Sequence, residues 1–91
     1  MATWKPFTEH GKLNYEEKKE ELPDSVFAFP GQRKEPLTDA SHVRNALARF
    51  DQVQDVSDED RDLAFDNIKK AAEFYGLDVR ENSWRELRGF Q

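Results

Sequence analysis

Two stretches of the chain repeat apolar residues at helical spacing, and the other segments can be placed around them. At about 100° per residue, Val43, Ala46, Leu47, Phe50 and Val53 fall on one arc of roughly 120°. Asn45, Ala48 and Gln52 lie opposite. This pattern predicts an amphipathic helix over about 39–53, with Thr38 or Asp39 accepting a backbone N–H at its start. The second stretch, 58–75, carries Ala64, Ile68, Ala71 and Tyr75 as one stripe, extended by Phe65 and Ala72. Leu63 and Phe74 fall beyond Asn67, so the apolar arc widens to about 200°. An arc that wide predicts a central helix covered on two sides. Ser57 is its expected N-cap, with Asp60 as a weak capping-box partner. Asp58, Glu59 and Asp60 occupy the first turn, where the helix dipole favours acids. Gly76 marks the stop, where left-handed backbone is wanted.

The remaining segments are shorter. Val26–Phe29 alternates, which predicts a strand with Phe27 and Phe29 on one face, ended by Pro30-Gly31. Residues 32–36 form an extended polar connection, and Pro36 biases Glu35 away from helix. Leu77–Val79 is a second strand candidate, placed to pair with Val26–Phe29. Asn82 or Ser83 caps a last helical turn bearing Trp84 and Leu87, stopped by Gly89. Trp84, Leu87 and the Phe27/Phe29 face are the natural covers for the second side of the central helix.

Residues 1–22 lack such a pattern. Trp4, Phe7, Leu13 and Tyr15 follow no regular spacing, and a helix begun at Asn14 would offer almost no apolar face. The expectation is a flexible N-terminal arm over 1–22 and a single small helical domain over 23–91. Trp4 and Phe7 are the arm residues able to dock on the core. The expected fold is mainly α: a two-helix core with short strands and a C-terminal helical turn, becoming a small α+β fold if the strands pair.

Composition narrows the function classes. A 91-residue chain is one domain and buries only about 60–65% of its unfolded surface, so a deep substrate cavity would consume its core. Apolar and charged residues each make up 36%. With seven Phe, two Trp and two Tyr, the chain has too many aromatics for a disordered one. The absence of cysteine excludes disulfides, thiolate metal sites and cysteine nucleophiles. No stretch approaches the ~20 apolar residues of a membrane span, and no signal peptide is visible, so the expected location is the cytoplasm. The net charge is −5 and unevenly spread. Asp51, Asp55, Asp58, Glu59, Asp60, Asp62 and Asp66 face Arg61 alone, while Arg33, Lys34, Arg44 and Arg49 make 25–50 mildly basic.

Candidate chemistry is sparse. Asp39, Ser41 and His42 resemble the ingredients of a triad, but Ser41 and His42 point about 100° apart on one helical turn. Local capping explains them better, with His42 reaching back to Asp39. His42 and His10 lack metal-ligand spacing, and the acidic run lacks the glycine and closing glutamate of a calcium loop. Phe65, Phe74, Tyr75 and Trp84 are read as core, not as a ligand pocket. No catalytic residue, metal or cofactor is therefore expected. Arg44 and Arg49 lie about 140° apart on their helix and make no basic stripe. A helix-turn-helix would also bring Asp58-Glu-Asp60 to the DNA. The polar strip His42, Asn45, Arg49 and Gln52 is a candidate protein-binding surface. The leading expectation is a monomeric, non-enzymatic module that binds a protein partner through Arg33, Lys34, His42, Asn45 and Arg49. Nucleic-acid binding through 31–49 is the disfavoured alternative.

The segment Leu22-Pro-Asp-Ser-Val-Phe-Ala-Phe-Pro-Gly-Gln-Arg-Lys-Glu-Pro-Leu-Thr-Asp-Ala-Ser-His-Val-Arg-Asn-Ala-Leu-Ala-Arg-Phe50 carries a resemblance. It resembles the motif of a family of small bacterial proteins of unknown function. The likeness runs on through the second helix to Ser83-Trp-Arg-Glu-Leu87. A similar stretch occurs in the C-terminal tails of some phage prohead-protease-type proteins, whose protease domain has no counterpart here. The resemblance implies no reaction. It suggests an assembly or accessory role in a phage-derived system.

Overall fold

The computed structural model describes residues 1–7 and 22–87. Helix α1 spans Ala40–Arg49 and continues as a 3-10 turn, Phe50–Gln52. Its N-cap is Asp39, whose carboxylate accepts the His42 backbone N–H at 2.8 Å. Helix α2 spans Asp58–Phe74 and opens with a reciprocal capping box. Ser57 Oγ accepts from the Asp60 N–H, and the Asp60 carboxylate accepts from the Ser57 N–H, both at 3.0 Å. At the other end Gly76 sits at φ +79°, and the Leu77 N–H returns to the Ala72 carbonyl at 2.8 Å. Both helices thus begin on the caps that their sequence signals single out, and α2 stops at Gly76 as expected, whereas α1 gives way at Arg49 to a 3-10 turn inside the range expected to be helical.

Strand β1, Phe27–Phe29, pairs antiparallel with β2, Lys34–Pro36, with Phe27 opposite Pro36 and Phe29 opposite Lys34. The sheet has two strands, so the fold is a small α+β arrangement. This corrects the pairing expected for Leu77–Val79, which forms no strand. Leu77 is taken up by the stop of α2, and Leu77 and Val79 instead lie half-buried against the core. A hairpin partner a few residues away also closes a far shorter loop than one across the chain. Residues 32–36, read as a polar connection, therefore supply the second strand.

Helix α2 is the centre, packed against β1 on one side and against α1 and the 3-10 turn Trp84–Leu87 on others. All three β1 residues are buried, so both faces of the strand are covered. Phe29 enters the main core beside Phe50, while Phe27 joins Leu22 and Val26 in a smaller cluster touched by Phe7.

The loose-arm expectation does not describe residues 1–7. Trp4 is 1% exposed, and its indole N–H donates to the Leu37 carbonyl at 3.2 Å. The cause is Asn67, buried in the middle of the α2 apolar face. Its Oδ1 accepts the backbone N–H groups of Thr3 and Trp4 at 2.7 and 2.8 Å. Its Nδ2 donates to the Ala28 carbonyl of β1 at 2.9 Å. A side-chain amide thus joins the N-terminal segment to the sheet, and the Lys5 N–H adds a bond to the Ser25 carbonyl. The helix considered from Asn14, His10 and the Gly89 stop lie outside the described residues.

Candidate functional site

An open groove of about 760 Å³ runs between the β1–β2 hairpin, the C-terminal end of α1 and the linker to α2. Arg33, Lys34 and Glu35 form one wall; Arg49, Gln52, Val53, Gln54 and Asp55 form the other. Three of the five residues singled out from sequence, Arg33, Lys34 and Arg49, meet here. His42 and Asn45 do not line it, so the strip His42–Asn45–Arg49–Gln52 extends beyond the groove. The groove takes only its last two members.

Each wall is moored. Arg33 pairs with Asp24 at 2.6 Å and lies 4.6 Å above the centre of the Phe27 ring. The Lys34 ammonium donates to the Gln54 carbonyl at 2.6 Å and so ties hairpin to linker. Gln32 Nε2 donates to the Asp60 carboxylate at 3.0 Å and ties the hairpin tip to the start of α2. The linker is fixed from behind by Arg61, which donates to the Val53 and Val56 carbonyls at 3.0 Å each. Trp84 covers Arg61 and stacks on Phe50, and its indole N–H donates to Asp62 at 2.8 Å.

The backbone of these walls is unusual. Among the described residues, three non-glycines have left-handed φ: Arg33 at +55°, Glu35 at +59° and Asp55 at +65°. All three line this groove. The hairpin turn puts its left-handed residue at Arg33, not at Gly31. Sequence gives little warning, since a left-handed Arg or Glu is uncommon; only Asp55 belongs to a type that tolerates the conformation. On a chain of net charge −5 the groove lining gathers three cations and two carboxylates, with Arg33 already paired to Asp24 just outside it. Arg49 is exposed and makes no ion pair or hydrogen bond among the described residues.

The Asp39–His42 pair is an N-cap. His42 Nδ1 lies 2.8 Å from the carboxylate oxygen that also takes its backbone N–H. Burial pushes the ring pKa down from its ordinary value, against the pull of that carboxylate. Ser41 is exposed on the next position. Nearby, burial and then the Asp39 charge push the Tyr75 hydroxyl pKa up. Its O–H donates to the Thr38 carbonyl at 2.9 Å. The Asp60 carboxyl is pulled below its usual range by the Ser57 backbone N–H before any other cause. Each of these groups has a local structural task. Among the described residues no group of three His, Asp or Glu side chains is placed to hold a metal ion. Nor is any helix there long and apolar enough to cross a membrane.

A family of unknown function, DUF6582, has a model that matches residues 6–82, and the chain belongs to that family. No curated protein and no solved structure matches the chain. The matched range contains both walls of the groove and Asn67. Thr3 and Trp4, which Asn67 holds, precede it.

Proposed function

We propose that the domain is a non-enzymatic interaction module and that the groove between Arg33–Glu35 and Arg49–Asp55 is where it meets a protein partner. The observation that carries this reading is the gathering of Arg33, Glu35 and Asp55 on one groove. A non-glycine residue held left-handed costs about 1–3 kcal/mol and persists where its surroundings over-determine it, commonly at binding clamps. Three such residues on one surface, with moored walls and a cation, Arg49, without an ion pair among the described residues, favour recognition over mere solvation. Reaction chemistry has no comparable support, because the one acid–imidazole pair described above is a helix cap. An assembly or accessory role in a phage-derived system, which the resemblance of Leu22–Phe50 to phage prohead-protease-type tails suggests, is compatible with such a contact.

Photo-crosslinking tests the proposal. A crosslinking residue at Gln52, in the groove, is expected to join a defined protein in native lysate that the same residue at Lys70 does not. Mass spectrometry then identifies that protein, and in purified form it is expected to bind the wild-type chain. The absence of any product specific to Gln52 would remove the groove from consideration.

A further inference from the structure

We infer that the partner seats an acidic protein segment in this groove, with a carboxylate on Arg49 and a neighbouring carboxylate on Lys34. The inference rests on the proposed function, because it names the chemistry of the same groove. Arg49 is the first argument. It stands at the last residue of α1, exposed and without an ion pair among the described residues. The negative end of the α1 dipole favours a cation at that position. Lys34 is the second. Its ammonium has three N–H donors, and the described contact is to a neutral carbonyl, that of Gln54. Its charge is therefore oriented without being neutralised. The hairpin wall also has an internal precedent: the Arg33 guanidinium already holds the Asp24 carboxylate at 2.6 Å.

The remaining features decide the class of partner. Small-molecule sites are concave and mostly apolar and bury most of their ligand. This groove is open, with Val53 its one aliphatic lining residue. Such a surface suits a reversible contact with a longer chain. Strand addition along β2 is blocked, because Pro36 has no N–H and Glu35 breaks the extended backbone at φ +59°. Recognition therefore falls to side chains. Glu35 and Asp55 discriminate against nucleic acid, whose phosphates recur at every nucleotide. A protein segment can instead place a neutral or basic residue opposite Asp55, which sets its register and excludes uniformly anionic chains.

Fluorescence anisotropy with the full chain tests the inference. The probe is a labelled peptide of alternating Glu and Ser, compared with a Lys/Ser peptide and with single- and double-stranded DNA. The Glu/Ser peptide is expected to bind best, and more weakly as salt rises. Arg49→Glu is expected to weaken it about tenfold or more, the loss of one charge-assisted contact and its replacement by repulsion. Arg44→Glu makes the same charge change on an exposed face of α1 outside the groove and is expected to change binding less than about twofold. Circular dichroism checks that both variants fold. Equal losses in the two variants would mean diffuse attraction and overturn the inference. So would no binding of the Glu/Ser peptide, tighter binding of the Lys/Ser peptide or DNA, or a dimer by sedimentation that Arg49→Glu abolishes. A partner crosslinked at Gln52 that the Glu/Ser peptide fails to displace would overturn the acidic chemistry yet leave the groove as the contact site.

Discussion

The Asn67 side of the molecule and the groove side use polar groups in opposite ways. Around Asn67 the described polar contacts close on one another. One buried amide accepts two backbone N–H groups and donates to a strand carbonyl, and Trp4 is sealed beside it. Around the groove, left-handed backbone is tolerated, three cations gather beside two carboxylates, and Arg49 faces solvent without an ion pair among the described residues. A buried polar group left unsatisfied costs about 1–3 kcal/mol, which is why the first region is closed. An exposed charge left unpaired costs almost nothing, so the second region can keep its charges for something else. The contrast separates what holds this small domain together from what it can offer to another molecule.

The sharpest way to break the contrast is to remove its closed half. Asn67→Ala is expected to lose about 3 kcal/mol in urea denaturation, since the Thr3 and Trp4 N–H groups and the Ala28 carbonyl lose their shared partner. Trp4→Ala is expected to lose a similar amount, about 3 kcal/mol, by emptying its site. Because both changes undock the same segment, the double variant should fall short of the sum by about 1 kcal/mol or more. Strict additivity would show that Asn67 and Trp4 do not act as one clasp.

A smaller effect is expected where the two halves meet. Arg61→Ala removes two bonds to the Val53 and Val56 carbonyls that brace the groove wall from behind. It should cost about 1.5 kcal/mol and speed amide exchange in residues 53–56, while exchange at Trp4 stays slow. Uniform acceleration would mean the wall and the clasp are one cooperative unit.

The pH dependence should be milder. Burial holds the His42 pKa below its ordinary 6.5, so the unfolded chain takes up the proton first. The stability tied to this residue is fully present above about pH 6.5 and is lost as pH falls through the lower folded-state pKa. Urea titrations at two pH values on either side of that range should show a larger acid loss for the wild type than for His42→Gln. Equal losses would show that the Asp39 carboxylate fully offsets burial.

Smallest of all, Asp55→Gly should gain about 0.5 kcal/mol. Relief of left-handed strain outweighs the added freedom of the unfolded chain. The same variant should bind a groove partner less selectively. A stability loss would mean that Asp55 is held there at no cost.

The limits of sequence reading follow from the range of the forces involved. The starts of α1 and α2 and the end of α2 were legible because capping by Asp39, Ser57 and Asp60 and the stop at Gly76 act within a few residues. The core stripes were legible because helical periodicity is also local, but Phe74, read as core, is 56% exposed and only edges against Trp4 and Tyr75. Asn67 did leave a trace, as a polar residue inside the wide apolar arc of α2. What it binds lies more than sixty positions away at Thr3 and Trp4, so its role as a clasp was not visible. The site residues divided in the same way. Arg33, Lys34 and Arg49 stood out by charge type, but nothing in spacing showed that these three line one groove.

The amino-acid order by itself determined the two helices, their N-caps, the stop of α2 at Gly76, the greasy faces that join them and the uneven spread of charge, because each depends on neighbours within a turn or two. Tertiary structure alone decided that β1 pairs with Lys34–Pro36, that the N-terminal segment is clasped by Asn67, and that hairpin and linker flank an open groove in which Arg33, Lys34 and Arg49 meet. Those outcomes depend on contacts between distant segments and on backbone angles that side-chain identity does not dictate.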